Sequence, residues 1–228
     1  MKDLKTAILI FAHSAEYEAT VKPFLHSKEV FESLNQRTLA VVKKTNLPYF
    51  IVTEKEQVGC TFGERFTNAI QSIYDLNFDS VIAIGNDSPH LTAKQLKKAH
   101  SKLSSNEIVL GSSTDGGFYL LGIKKEHFEP TLFLKLPWQS QNLNRALSKL
   151  FNVNGVKVSY LETLRDIDSI EDIKILFNNF KSVYHNLFEL FLIILSKIRT
   201  TIFALEVPSL FLFQSNFTNK GSPYLLYN

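Results

Sequence analysis

Six short apolar runs recur along this chain with almost no polar alternation inside them, and segments of helical period fall between them. The runs are Ala7 to Ala12, Tyr49 to Thr53, Ser80 to Gly85, Ile108 to Gly111, Phe118 to Ile123 and Val156 to Leu161. A strand with one wet face alternates, whereas a strand apolar on both sides needs cover on both. The pattern therefore predicts an α/β fold with a mostly parallel sheet between two helix layers. The covering helices show as one-sided apolar faces: Phe62, Phe66, Ala69, Ile70 and Ile73, then Leu96, Ala99 and Leu103, then Leu143, Ala146, Leu147 and Leu150. A last helix opens at Ser169, with Asp172 three residues on as an acidic variant of the capping box, and runs through Ile170, Ile173, Leu176, Phe177 and Phe180.

A length of 228 residues holds one such domain with a full core and is short for two. The reading places that domain at residues 1–180 and leaves 181–228 as an apolar C-terminal extension of unassigned role. Three fates stay open for the extension: packing on the domain, an oligomer contact, or peripheral contact with a membrane surface. A membrane span is not expected, because Glu189, Lys197 and Arg199 interrupt the stretch from Leu187 to Leu205.

The net charge of +3 is spread without a basic cluster, which argues against a nucleic-acid partner. Cys60 is the only cysteine, so an intramolecular disulfide and a multi-cysteine metal site are excluded, and a reducing, cytoplasmic setting fits. The six histidines form no His-x-x-x-His pair, which leaves zinc chemistry unsupported. No Gly-x-Ser-x-Gly elbow, Walker loop or Gly-x-Gly-x-x-Gly fingerprint occurs, so hydrolase, P-loop and dinucleotide readings are weak.

In open parallel sheets, ligands bind beyond the carboxyl ends of the strands. Three such loops carry acids here: Asn86-Asp87 after the third strand, Asp115 after the fourth, and Asp166 with Asp168 after the last. Acids from several strand ends can converge on a hard divalent cation, magnesium or manganese, with Asp87 the first choice of ligand and Asp168 the second. Such an ion suits a phosphorylated donor, because it offsets charge on the leaving group. Each acid also has a plain structural explanation. Asp87, between Asn86 and Ser88, sits in good turn sequence; Asp115 could be an Asp-Gly turn between two strands; Asp168 precedes a helix start; Asp166 could be solvated.

Gly116 and Gly117 would let the backbone approach a ligand closely while Asp115 accepts hydrogen bonds from it. At the start of the first covering helix, Arg65 could face a phosphate and Glu64 a sugar hydroxyl, or both could lie on a solvated face. Trp138 either belongs to the core or stacks on a base or sugar.

Taken in order, Gln57 to Arg65, Ile84 to Leu91 around Asp87-Ser88-Pro89, Val109 to Gly122 around Asp115-Gly116-Gly117-Phe118-Tyr119-Leu120, Pro137-Trp138, and Asp166-Ile167-Asp168 with Asp172 resemble the DUF2064 family. The resemblance covers roughly Ala7 to Phe180. It implies a glycosyltransferase-A (GT-A) fold, a three-layer α/β/α sandwich that takes a nucleotide-activated donor, with kinship to small nucleotidyltransferases. It also implies that Asp87 stands where relatives hold a metal. The leading expectation is a metal-dependent glycosyl transferase-like protein, with Asp87 and Asp115 in the catalytic site and Asn86, Ser88, Gly116, Gly117, Glu64, Arg65 and Trp138 as candidate substrate contacts. Nucleotidyl transfer and a non-catalytic GT-A binding protein are the alternatives.

The chain departs from the family after the first strand, where many members read Ala-Lys-x-Pro-x-x-Gly-x-x-Lys-Thr-Arg-Leu, a segment suited to phosphates. Here Ala12 to Phe24 lacks the glycine and the arginine, gains Glu16 and Glu18, and keeps Lys22 as partial compensation. Arg65 or Lys43 are the other cations available for phosphate contacts.

Overall fold

A computed structural model describes residues 4–105, 107–153, 155–178 and 187–197. All six apolar runs become strands: β1 (Thr6–Phe11), β2 (Tyr49–Val52), β3 (Ser80–Ile84), β4 (Ile108–Ser112), β5 (Phe118–Lys124) and β6 (Val158–Tyr160). They form one sheet in the order β2-β1-β3-β5-β4-β6. β1 runs parallel to β2 and β3, and β4 parallel to β6, while β5 is antiparallel to both of its neighbours. The reversal follows from chain length: a parallel crossover needs about a dozen residues or more, and the link from Ser113 to Gly117 is far shorter.

The helices are α1 (Ala15–Val21), α2 (Ser27–Lys43), α3 (Phe62–Asp75), α4 (Ala93–Ser104), α5 (Pro130–Phe133), α6 (Leu143–Val153) and α7 (Ile170–Asn178). The two-residue period of the strands splits the core. Ala7, Leu9, Val81, Ala83 and Leu121 face Phe66, Ile70 and Ile73 of α3, Phe133 of α5, and Leu143 and Leu147 of α6. Ile8, Ile10, Ile82, Ile84 and Leu120 face Val41 and Val42 of α2 and Leu96, Ala99 and Leu103 of α4. The result is the three-layer α/β/α sandwich. Side chains such as Ile70 and Leu96 are fully buried, each worth about 1.5–3 kcal/mol relative to exposure.

Helix starts follow their capping signals. Thr61 and Glu64 cap α3 reciprocally, Thr92 and Gln95 do the same for α4, and at α7 the Asp172 carboxylate accepts from the Ser169 backbone at 3.1 Å. A third apolar cluster joins Ala15 of α1, Val30, Phe31 and Leu34 of α2, and Ile173 and Leu176 of α7 to a helical segment over 187–197, through Leu187, Phe191 and Ile194. Among the described residues no helix is long and apolar enough to cross a membrane. The expected helix end at Phe180 and the extension beyond 197 lie outside the described residues.

Candidate functional site

The sheet changes direction of growth at β1: the chain adds β2 on one side and then β3 on the other. Ligand crevices in such sheets open beyond the strand ends at this point. Here a cavity of about 710 Å³ does so, bordered by Phe11 at the end of β1, Ile84 at the end of β3 and the β4–β5 turn. One wall is aromatic, from Phe11, Phe62, Phe66 and Phe118; the other carries the acids Glu18, Asp87, Asp115, Asp166 and Asp168.

The acid loops are tied together by backbone. Ile167 N donates to Asp87 O at 3.0 Å, and Thr114 N to Leu164 O at 3.0 Å, so the turn beyond β4 and the loop after β3 are each bonded to the loop after β6. The Ser88 hydroxyl donates to the buried side of Asp166. Burial, with Asp87, Asp115 and Asp168 close by, pushes the Asp166 carboxyl up to about 8, against the opposing effect of the Ser88 hydrogen bond. This favours the protonated form of Asp166, which relieves part of the crowding of negative charge.

The rest of that charge meets Lys22. Its ammonium lies 2.8 Å from Asp168 Oδ1, 3.0 Å from Asp87 Oδ2 and 3.5 Å from Glu18 Oε2, with Ile167 O at 3.4 Å. Burial works against the charged form, but Asp87, Glu18 and Asp168 outweigh it and hold the ammonium well above the ordinary lysine range. The segment read as an altered loop is in fact largely helical. Ser14 caps α1 by accepting from Tyr17 N at 3.2 Å, and Glu54 fixes Ser14 in turn through its backbone and hydroxyl, both at 2.7 Å. Of the two added glutamates, Glu16 faces outward to Lys28 at 2.9 Å, while Glu18 turns inward as the i−4 partner of Lys22.

Asp115 sits in the turn between β4 and β5 and at the edge of the cavity. Its carboxylate accepts from the Ser113 hydroxyl and from Gly117 N at 2.9 Å. Gly116 has φ +94°, and a Cβ there would lie 2.5 Å from Gln141 O; it shapes the turn and does not line the cavity. Asn86 lines the cavity but spends its amide on Asn35 Oδ1 at 2.7 Å. Arg65 also lines it, tethered by Gln57 Oε1 at 3.1 Å and Cys60 O at 3.2 Å.

Three candidates do other work. Glu64 closes the α3 cap, accepting from Cys60 N at 2.7 Å and Thr61 N at 3.0 Å, and does not line the cavity. Trp138 lies behind the aromatic wall, with its ring 5.2 Å from Phe66 and its Nε1 donating to Phe133 O at 2.7 Å. Ser88 acts through Asp166. Lys43 lies in the last turn of α2, away from the cavity lining. The residues that sequence reasoning passed over are Glu18 and the aromatic wall; the i, i+4 spacing of Glu18 and Lys22 was the available signal.

The expected divalent ion can be tested against this donor set. Asp87 and Asp168 supply the hard oxygens that magnesium or manganese prefers. The point on which they converge holds the Lys22 ammonium, at hydrogen-bond distances. Among the described residues no group of three or more His, Cys, Asp or Glu side chains is arranged to hold a metal ion. With Lys22 in place the set fits an ammonium and does not fit a divalent ion.

No curated protein matches the chain. Among solved structures, a "putative nucleotide-diphospho-sugar transferase" from Desulfovibrio desulfuricans G20 superposes with TM-score 0.75 at 20% identity, over 86% of this chain and 98% of that one. The 4-diphosphocytidyl-2C-methyl-D-erythritol synthase of Anaerococcus prevotii DSM 20548 superposes with TM-score 0.50 at 12% identity, over 75% of this chain and 96% of that one. At these identities the likeness is one of fold. The family described as "Uncharacterized protein conserved in bacteria (DUF2064)" matches residues 30–140, which run from within α2 through β5 and α5 to just past Trp138. Residues 30–140 thus match the DUF2064 family model, and the chain shares the fold of a nucleotide-diphospho-sugar transferase-like structure.

Proposed function

We propose that this chain is a transferase that takes a nucleotide-activated sugar donor in the cavity beyond β1 and β3 and passes the sugar to an acceptor. The observation that carries the reading is the pairing of an aromatic wall with an acidic wall in one cavity of about 710 Å³, a volume in the usual range for small-molecule sites. The aromatic side offers a face for a base or sugar ring, and the carboxylates accept hydrogen bonds from sugar hydroxyls. Asp115, held in place by Ser113 and Gly117, is positioned to orient a hydroxyl at the cavity edge. Arg65 is the lining arginine able to face a departing diphosphate, while the Lys22 ammonium, paired with Asp87 and Asp168, contributes fixed positive charge to the same cavity. Catalysis on this reading comes from charge stabilisation and from positioning of the acceptor.

The test is a thermal-unfolding panel of nucleoside diphosphate sugars and nucleoside triphosphates, each with and without manganese. At least one diphosphate sugar should stabilise the protein by about 2–3 kcal/mol at a concentration near 100 times its Kd. Asp115→Asn should weaken that stabilisation. Stabilisation by triphosphates alone would replace this reading with nucleotidyl transfer, and no response to any nucleotide would replace it with a non-catalytic GT-A shell.

A further inference from the structure

Lys22 is largely buried, its side chain 18% exposed, where a positive charge is costly unless it is paired, and its surroundings supply that pairing. The three N–H bonds of an ammonium find three acceptors: Asp168 Oδ1 at 2.8 Å, Asp87 Oδ2 at 3.0 Å and Ile167 O at 3.4 Å. Beneath it lies the Phe31 ring, whose centroid is 5.1 Å from Nζ, a cation–π distance. The backbone at Lys22 is pinned on both sides. Its N–H donates to Glu18 O at 2.7 Å, and its carbonyl accepts from the Ser27 hydroxyl at 2.8 Å.

Glu18 makes withdrawal of the side chain costly. It is buried, and among the described residues its Oε2 has no hydrogen-bond partner, only the Lys22 ammonium at 3.5 Å. If Lys22 swung out, Asp87 and Asp168 would lose their cation, and Glu18 would keep only the His13 imidazole, 3.3 Å from its Oε1. The carboxylates come from three separate parts of the fold, α1 and the loops after β3 and β6, yet all are within reach of one atom of one lysine.

We propose that the Lys22 ammonium is the resident cation of this site, standing in the place between Asp87 and Asp168 that a divalent ion would take, so that the protein is built to work without one. The placement of the cation stands on the geometry alone. Its consequence for donor binding, that chelators leave it unchanged, rests on the transferase reading above.

Manganese alone is the probe, titrated into metal-free full-length protein without nucleotide and followed by the electron paramagnetic resonance of the free ion. Lys22→Met keeps the stem and removes the charge, so it should bind one manganese on the order of 100-fold more tightly than the wild type, the effect of removing a fixed like charge a few ångströms away. Asp87→Asn added to Lys22→Met should abolish the gain. Lys22→Gln serves as a second variant where Lys22→Met does not fold, and should show the same gain. Wild-type protein that binds one manganese and loses it on Asp87→Asn would overturn the proposal, as would folded Lys22 variants that gain no affinity. Since no nucleotide is present, a failure here is distinct from a failure of the donor panel.

Discussion

Gly63 stands in the first turn of α3, where helix propensity alone would favour alanine by about 1 kcal/mol. Packing reverses the sign. A Cβ at Gly63 would lie 2.4 Å from Trp138 Cδ1 and 2.5 Å from its Nε1. The indole has little freedom to yield, since Nε1 is bonded to Phe133 O and the ring packs among Phe62, Phe66 and Phe118. Gly63→Ala is expected to lower the unfolding free energy by about 1–3 kcal/mol in urea denaturation, the usual cost of overpacking. An increase in stability would mean that Trp138 moves aside and is not the rigid backing of the aromatic wall. At this scale Gly63 reads from the sequence only as the opening of a helix, and Trp138 only as core or stacking residue. That they meet depends on how α3 and the segment after α5 pack, which no local spacing encodes.

The start of α7 shows what a local signal does carry. Asp172 accepts from the Ser169 hydroxyl at 2.8 Å and from the Arg165 guanidinium at 3.1 Å. Burial raises its carboxyl, but those bonds and the Asp168 backbone N–H outweigh it and hold Asp172 below the usual aspartate range. A depressed folded-state value means that the ionised carboxylate stabilises the fold above the unfolded value, near 4, and that this contribution is lost as pH falls through the folded value. Asp172→Asn should therefore cost about 1–2 kcal/mol at neutral pH, and wild type and variant should converge as pH drops below about 4. A gap that stays constant as pH falls below 4 would assign the effect to packing and not to charge.

This cap was legible because Ser169 and Asp172 are three residues apart, as were the six strands, whose apolar runs need only local composition. α2 was not, although Val30, Phe31, Leu34, Val41 and Val42 do form a buried face. Its first flanking residue, His26, has φ 59° and makes no side-chain cap bond, so the usual start signal is missing. The acid loops were found for the same reason as the strands they follow. Lys22 was visible as a leftover cation in an altered loop, but its role depends on α1 being a helix that aims it at loops far away in sequence.

At the scale of the whole molecule, three apolar clusters hold the described residues together, and the third bears most directly on the site. Phe31, which lies under the Lys22 ammonium, packs in a cluster with Ile167, between Asp166 and Asp168, and with Leu187, Phe191 and Ile194 of the segment over 187–197. The described part of the C-terminal region thus buttresses the two elements that bring the cation and the acids together. Phe191 is fully buried there, so Phe191→Ala should cost about 3–5 kcal/mol, measured by urea denaturation of the full chain. The loss should appear in the single transition of the whole domain and not as a separate early step, because the cluster is shared with α1, α2 and α7. A change under about 0.5 kcal/mol, the size expected of a surface position, would mean that this helix is not docked in solution and that Phe31 and Ile167 hold the site without it.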